Sequence, residues 1–590
     1  MIRNASRITL LVGLIMGMVM ALAGCGALAT KSNAGMSSES EGDSQPVSAQ
    51  ASAEKPAPEV KTNISPSLLY QLLVAEIAVQ RGQLGIAISN YLDAARKTHD
   101  PDTAARAAQI ARYAQDYDKA SEAAQILIKS DPDNPNARLL YASILMLSGK
   151  PDKAVQQYLK MAQLSKDKPG KGFNVIASQL VRMPDRDIAL SVMGKVLGAY
   201  SDDPDAQFAY AHLAMRQAKF DLALGSLDKA LKARPDWDNA VVLRARILAL
   251  QKGRAEAIKY LKDILDGDLS DNINVGMSYA KMLVEAKQYK QAMDEFNHLT
   301  ELAPKNMDIH YPAGVLALQL ENYDLAQKLL TKVVKSGEHY YEANYYLGQV
   351  AERKKQTDKA IEYYNRVKRG ELYFGAQVRV VALLADKRNF TAAGQTLDNI
   401  NAQNDKQELQ IILLKGDLYR EQGLFKEAKQ YYSDMLKKMP NETSLRYARA
   451  LVAEKLGEIN LVESDLQAIL QVEPSNAQVL NALGYTLADR TTRYKEALGY
   501  IKKALDMEPN DAAIMDSMGW VLYRMGDYQK AISQLRRAND IAKDPEIAAH
   551  LGEVLWVSGN KDAAKNVWNT SLKGHPGHKI LREVMKKFGQ

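Results

Sequence analysis

The pattern of apolar and polar residues along this chain predicts short amphipathic helices that come in pairs. One alanine marks the same point of each pair, and it returns every 33 to 35 residues between residues 87 and 564. These alanines are Ala87, Ala120, Ala154, Ala189, Ala223, Ala257, Ala292, Ala326, Ala360, Ala393, Ala428, Ala497, Ala531 and Ala564, and Val462 stands where one is missing. A fixed period of this size predicts a solenoid of stacked helical hairpins. Such a fold offers a long surface, which favours binding partners over catalysis.

The other recurring residues describe how each hairpin is built. In the unit near the C-terminus, Gly519 and Ala531 lie twelve residues apart, and Leu535 follows four residues later. Two small side chains allow the helices of a hairpin to approach closely, and the large apolar side chain fills the space beside them. Gly526 suits the end of the first helix, and prolines such as Pro509 end the second. Each unit therefore reads as a helix-turn-helix of about 34 residues.

This arrangement of small, large and turn residues resembles the tetratricopeptide repeat, over about fifteen units from Ser67 to Pro576. The resemblance implies an all-α fold, a right-handed α-solenoid over residues 66–576 with a capping helix at 577–590. The lapse at Val462 and the more polar links at 168–172 and 263–272 leave two alternatives, bends in the superhelix or sequence drift.

The N-terminus carries the pattern of a secretory signal. Arg3 and Arg7 precede sixteen largely apolar residues, 8–23, fewer than the roughly 20 that a membrane-spanning helix needs. The run ends in Leu22-Ala23-Gly24-Cys25, which resembles the lipobox of bacterial lipoproteins. The resemblance implies a signal peptide at 1–24 and a lipid on Cys25, whose thiol accepts it. An uncleaved signal anchor is the alternative.

The residues after the cysteine indicate where the protein is held and how. Gly26 stands where an aspartate would signal retention in the inner membrane, so the resemblance implies the outer membrane of a Gram-negative bacterium, facing the periplasm. Ser, Ala, Glu, Gly, Gln and Pro dominate the segment up to about Ser65. With few large apolar residues this segment cannot bury enough surface to order itself. Residues 25–65 are therefore expected to form a lipidated cysteine followed by a disordered tether.

Composition and motifs argue against several other functions. Lys and Arg total 77 against 70 Asp and Glu, which is too even for a dedicated nucleic-acid binder. Cys25 is the only cysteine, so no disulfide or thiolate metal site can form. No nucleotide-binding, zinc-protease or nucleophile-elbow motif occurs. His575 and His578 lie close in sequence, and a surface position is favoured over metal ligation. We predict no enzyme activity, no cofactor and no small-molecule substrate.

Partner-binding candidates follow from the register of the repeat. In tetratricopeptide proteins the first helix of each unit lines the concave face, and its outward positions are counted from the small residue. Carried onto this sequence, these positions give five candidates on three successive units: Tyr485, Trp520, Tyr523, Arg524 and Trp556. Trp, Tyr and Arg are the residues enriched in binding hot spots.

Acidic and further aromatic residues occupy other outward positions. The acidic ones are Asp516, Glu546 and Glu553, and the more N-terminal aromatics are Phe208, Tyr311, Tyr345 and Tyr447. The alternative to binding is that these aromatics pack between adjacent first helices. Both alternatives remain open for Trp520, Tyr523 and Trp556, whereas packing is favoured for the N-terminal aromatics.

Anchor, tether and repeats together resemble the outer-membrane lipoproteins that act as adaptors for carboxy-terminal processing proteases, in their large pseudomonad form. That resemblance implies a scaffold that brings the protease to peptidoglycan hydrolases and so controls cell-wall cleavage. An assembly factor for outer-membrane pilus, secretion or polysaccharide-export machinery is the alternative.

Overall fold

The structure, a computed structural model, describes residues 65–165 and 171–590. Within these residues all regular elements are α-helices, 31 in number, and no strand occurs among them. The predicted all-α fold is confirmed. The signal peptide, Cys25 and the predicted tether up to residue 64 lie outside the described residues. Among the described helices none combines the length and the apolar character that a membrane crossing requires.

The helices fall into two compact units, which divide between Leu320 and Glu321. The helices of the first unit are α1 (Pro66–Gln80), α2 (Leu84–Thr98), α3 (Pro101–Tyr113), α4 (Tyr117–Ser130), α5 (Pro135–Leu147), α6 (Pro151–Leu164), α7 (Lys171–Leu180), α8 (Arg186–Gly198), α9 (Pro204–Arg216), α10 (Phe220–Ala233), α11 (Asp238–Gln251), α12 (Arg254–Leu265), α13 (Ile273–Glu285), α14 (Tyr289–Leu302) and α15 (Met307–Gln319).

The second unit likewise consists of short helices that follow one another along the chain. Its helices are α16 (Tyr323–Ser336), α17 (Tyr340–Arg353), α18 (Thr357–Arg366), α19 (Tyr373–Asp386), α20 (Phe390–Asp398), α21 (Asp405–Glu421), α22 (Phe425–Lys438), α23 (Thr443–Leu456), α24 (Ile459–Val472), α25 (Ala477–Arg490), α26 (Tyr494–Met507), α27 (Ala512–Arg524), α28 (Tyr528–Ala542), α29 (Pro545–Val557), α30 (Lys561–Gly574) and α31 (Lys579–Lys587).

Consecutive helices pair as hairpins. Short polar residues cap the starts of helices, and glycines follow the ends of first helices. At the start of α27 the Asp511 carboxylate accepts a hydrogen bond from the Ile514 backbone N–H at 2.9 Å, which satisfies one of the free donors of the first turn. Gly526 follows the end of α27 with φ +88° and Gly559 follows the end of α29 with φ +93°. Both glycines therefore adopt the left-handed conformation that suits the end of a first helix.

The small and large residues of each hairpin meet as the repeat pattern predicts. A Cβ added to Gly519 would lie 2.5 Å from Leu535 Cγ, and one added to Gly348 would lie 2.6 Å from Tyr364 Cε1. The space beside each of these glycines is thus filled by a large side chain of the second helix, and no room is left for a methyl group. The recurring alanines are buried as well, and Val462, with 1% exposure, takes the same buried place in a cluster with Ala450.

The last hairpin is covered by α31, which lies in the segment predicted to cap the chain. Leu581 of α31 is fully buried. The ring of Phe588 stacks on Trp568 of α30 with centroids 5.9 Å apart. An apolar face that a further repeat would otherwise cover is therefore closed by the chain itself.

The close approach of helices in a hairpin can be tested with two glycines of one hairpin. We expect Gly484→Ala to destabilise the α25–α26 hairpin, because its Cβ would lie 2.5 Å from Ile501 Cγ1 and 3.0 Å from the Ala497 carbonyl oxygen. Overpacking of this kind costs about 1–3 kcal/mol. Thermal unfolding and hydrogen exchange of residues 477–507 measure the effect.

Gly499→Ala in α26 is the matched control. No atom lies within 4 Å of the added Cβ, so the substitution should raise stability by about 0.5–1 kcal/mol through helix propensity alone. A loss of stability of similar size in both variants would contradict the packing explanation.

Candidate functional site

The five predicted partner-binding residues lie on the first helices of the last three hairpins. Tyr485 belongs to α25, Trp520, Tyr523 and Arg524 belong to α27, and Trp556 belongs to α29. We call the surface formed by these five residues the C-terminal wall. Four of them are half-buried, and Trp520 is buried. The register of the repeat therefore places the five on one series of helices, but with unequal exposure.

Trp520 corrects the expectation that this position faces outward. Its side chain is only 8% exposed. The indole Nε1 donates a hydrogen bond to Asp489 Oδ1 at 3.2 Å, and the ring stacks on His550 with centroids 4.3 Å apart. Trp520 thus connects α25, α27 and α29, which favours the packing alternative at this position. A role of Trp520 in partner contact stays a prediction.

Arg524 is held by the hairpin that precedes its own. Nη1 donates to the backbone oxygen of Asp489 at 3.0 Å, and Nη2 donates to the hydroxyl of Tyr494 at 2.9 Å. The guanidinium carbon also lies 5.2 Å from the centroid of the Tyr494 ring, within the range of a cation–π interaction. The side chain retains 29% exposure. Arg524 is therefore both fixed in position and accessible to a partner.

Tyr523 and Trp556 are connected to the end of the chain. The Tyr523 hydroxyl donates to Glu553 Oε1 at 3.3 Å, and Lys587 Nζ donates to the same oxygen at 2.8 Å. Burial, reinforced by the Glu553 carboxylate, raises the pKa of Tyr523 to about 12, so the phenol remains a hydrogen-bond donor at neutral pH. The ring of Trp556 stacks on Trp568 at 5.8 Å.

A histidine–carboxylate pair packs against the C-terminal wall, where the His550 ring contacts Trp520 and Tyr485. His550 Nδ1 lies 2.9 Å from Asp516 Oδ2, and Asp516 is fully buried although its position was expected to face outward. The Tyr485 ring lies 6.3 Å from the His550 ring. A buried carboxylate is costly unless it is paired, so this contact ties α27 to α29.

The same pair shifts the titration of the imidazole. Burial by itself would lower the pKa of His550. The charge and hydrogen bond of Asp516, with a further contribution from Glu546, outweigh burial, so the pKa of His550 is raised above its usual value of 6.5. The site therefore favours the charged imidazolium more than water does.

Sequence reasoning missed Asp489 and His550, although a signal for them exists. Partners across adjacent first helices are separated by about one repeat: 31 residues between Asp489 and Trp520, and 34 between Asp516 and His550. Complementary polar residues one period apart are the pattern that would have identified both.

The favoured packing of the N-terminal aromatics matches the contact of Phe208 with Trp237, whose ring centroids are 4.7 Å apart.

The described residues offer the chemistry of recognition. No group of three or more His, Cys, Asp or Glu side chains that could hold a metal ion occurs in residues 65–165 and 171–590. His578 caps α31, since its Nδ1 accepts from the Leu581 backbone N–H at 3.4 Å, and His575 Nδ1 lies 3.3 Å from the Ser571 carbonyl oxygen. The polar groups of Trp520, Tyr523 and Arg524 are hydrogen-bonded to Asp489, Glu553 and Tyr494, which lie outside the C-terminal wall.

Comparison with known proteins places this architecture in a family. Models of the tetratricopeptide repeat match residues 105–170, 176–236, 208–272, 311–371, 409–437 and 491–551. A TPR repeat-containing protein of Pseudomonas aeruginosa is 33% identical over 513 residues, 86% of each chain. The lipopolysaccharide assembly protein B of Escherichia coli is 26% identical over 46% of this chain and 60% of its own length.

A likeness to a solved structure has also been found. The crystal structure of the APC/C hetero-tetramer Cut9–Hcn1 matches 89% of this chain and 97% of its own with 16% sequence identity and a TM-score of 0.34.

The histidine–carboxylate pair predicts a pH-dependent stability. Because the folded-state pKa of His550 lies above the unfolded value of about 6.5, the pair stabilises the fold fully below that pH and progressively less as the pH rises through the folded pKa. His550→Asn should cost about 3 kcal/mol near pH 6, since Asp516 would keep a buried charge without its counter-charge. The difference in melting temperature between the native protein and His550→Asn should therefore be larger at pH 6 than at pH 9.

The exposed His575 supplies the control, and His575→Asn should leave the pH profile of melting unchanged. An equal loss of stability by His550→Asn at both pH values would show that the charge of the imidazole contributes nothing.

Proposed function

Because this chain belongs to the tetratricopeptide-repeat proteins, we propose that it is a lipid-anchored scaffold that faces the periplasm and recruits other proteins to the outer membrane. Its proposed partners are a carboxy-terminal processing protease and the peptidoglycan hydrolases that the protease cleaves. Repeats of this family indicate a protein-binding scaffold. The anchor, the location and these particular partners are the proposal.

The observation that carries the proposal is the arrangement of the C-terminal wall. Tyr523, Arg524 and Trp556 keep part of their side chains exposed, and each is already held by contacts within the chain. A side chain that is ordered before binding loses less conformational entropy when the partner arrives. Aromatic and arginine side chains in this state are the usual centres of binding energy at protein interfaces. The C-terminal wall therefore suits recognition of a folded protein or a helix.

The anchor is supported by the N-terminal sequence. Leu22 to Cys25 resembles a lipobox, and Gly26 stands where aspartate would signal inner-membrane retention. Acyl chains contribute about 0.8 kcal/mol for each methylene that they bury, so two or more hold a protein on a membrane stably. A scaffold fixed in this way raises the effective concentration of a protease near its substrate without taking part in the chemistry.

The Pseudomonas aeruginosa relative, a TPR repeat-containing protein, supports a scaffold built from repeats along most of the chain, since 86% of its length aligns with 86% of this chain. A scaffold that assembles outer-membrane machinery is the second candidate. The likeness to lipopolysaccharide assembly protein B favours it, although that likeness covers 46% of this chain.

Partner identity can be tested by purifying the full-length protein from detergent-solubilised outer membranes and identifying co-purified proteins by mass spectrometry. A serine protease and cell-wall hydrolases are the expected result. Deletion of the protein should also lengthen the half-lives of those hydrolases while the purified protease keeps its own active site intact. Co-purified secretin, pilus or glycan-export subunits with unchanged hydrolase half-lives would establish the second candidate instead.

The binding role of the C-terminal wall predicts which substitutions weaken capture of the partner. We expect Tyr523→Ala and Trp556→Ala to weaken it at least about tenfold, or 1.4 kcal/mol, as hot-spot residues do. Titration of the identified partner against each variant gives the affinity, and thermal melting is measured in parallel.

Tyr113→Ala is the control, because Tyr113 is 80% exposed at the end of α3 and should change neither quantity. Trp520→Ala should lower the melting temperature, since Trp520 is buried between three helices. If Tyr523→Ala and Trp556→Ala lowered the melting temperature and left capture unchanged, both residues would belong to the core and not to a binding surface.

A further inference from the structure

The first helix of the chain exposes an apolar face. Leu69 is 50% exposed, Tyr70 71%, Leu73 54% and Ile77 47%. Leu69, Leu73 and Ile77 are four residues apart and Tyr70 is adjacent, so the four side chains share one side of α1. We call these four residues the α1 face. A contiguous apolar surface of this kind in a soluble domain indicates an interaction site.

In two later first helices, α9 and α27, the equivalents of Tyr70, Leu73 and Ile77 are buried. Counted from the small residue of each first helix, the equivalents of Tyr70, Leu73 and Ile77 are Ala206, Ala209 and Leu213 in α9, and Ile514, Ser517 and Val521 in α27. All six are at most 2% exposed. In both helices this side meets the preceding hairpin, since α9 contacts α7 and α8, and α27 contacts α25 and α26. In α9 and α27 this side is thus covered by helices, whereas α1 has no preceding hairpin among the described residues.

The two ends of the chain differ in this respect. At the C-terminal end α31 covers the last hairpin, with Leu581 fully buried and Phe588 stacked on Trp568. At the N-terminal end the α1 face keeps about half of its apolar side-chain surface exposed. Among the described residues the C-terminal end is therefore closed by the chain's own helix, whereas the α1 face is open to an external helix.

The preceding segment and a lipid surface both fit this face poorly. Residues 26–64 contain five large apolar residues, Leu28, Met36, Val47, Val60 and Ile64, and only the last two stand at helical spacing. Helices that lie on membranes carry Lys or Arg along their polar side, and α1 contains neither.

A second copy of the chain fits better. The one charged side chain of α1, Glu76, is turned to neighbouring helices, where it accepts hydrogen bonds from the Tyr91 hydroxyl and from Arg106 Nη2, the latter at 3.1 Å. The α1 face is therefore uncharged, and two such faces can meet around a two-fold axis without opposing like charges.

We propose that two copies of this chain associate through their α1 faces, with Leu73 near the two-fold axis. The inference deepens the proposed function and rests on it for one point, the lipid anchor. One helix face buries less surface than a stable dimer needs in free solution. Two chains tethered to one membrane next to α1 meet at a raised effective concentration, which compensates for the small contact.

Disulfide trapping in membranes tests the proposal. Full-length Leu73→Cys should form a species of twice the monomer mass under mild oxidation, at least about tenfold faster than the control. The control is Val472→Cys, since Val472 is 69% exposed in α24 and lies outside the α1 face. Native protein, whose only cysteine is Cys25, reports any linkage through that residue.

A second set of variants removes the contact without disturbing the fold. Adding Tyr70→Asp and Ile77→Asp to Leu73→Cys should abolish the linkage, because two charged faces would then oppose each other. Both side chains are already exposed, so the melting temperature should stay unchanged.

The outcomes separate this proposal from the lipid anchor. Linkage of Leu73→Cys in concentrated detergent solution, in a protein that also carries Cys25→Ala and does not remain in membranes, would support the α1 contact independently of the anchor. Linkage no faster than that of Val472→Cys, both in membranes and in concentrated detergent solution, would overturn the proposal. So would linkage of Leu73→Cys only to a different protein.

Discussion

Several hairpins of this protein depend on a large side chain of the second helix that fills the space a small residue leaves open on the first. Tyr364 occupies that space at Gly348 and Leu535 occupies it at Gly519. Because the same contact recurs along the chain, the helices of successive hairpins keep a similar separation, and each hairpin offers its neighbour a comparable surface. The stack is thus built from local packing, with no core that grows with chain length.

A second set of contacts joins one hairpin to the next. Asp516 reaches His550, Tyr523 reaches Glu553, and Glu352 reaches Arg379, whose Nε lies 3.1 Å from Glu352 Oε1. These polar pairs lie on first helices, the helices from which binding surfaces of this family are built. In the C-terminal wall one group of residues therefore orders the stack and also carries the side chains proposed for recognition, so the proposal links stability to binding.

The sequence predicted the helical pairs and their turns well, because those depend on residues within one repeat. Gly526 and Gly559 end their helices in the left-handed conformation, as expected of glycine after a first helix. Val462 looked like a break in the pattern and is buried like the alanines, since a cluster with Ala450 accommodates its larger side chain. Expectations for Trp520 and Asp516 were wrong in their exposure, because the register of one helix says nothing about the side chain that the next hairpin lays over it.

By itself the sequence determined the period, the order of the helices and the residues that start and end them, since each follows from conformational preferences and side-chain sizes over a few residues. The tertiary structure alone decided which positions of the first helices remain accessible. Trp520 is buried and Tyr70 is exposed, although both stand on first helices. The reason is that a neighbouring hairpin sets the exposure of a first helix. Trp520 is covered by His550, 30 residues further along the chain. No hairpin precedes α1 among the described residues.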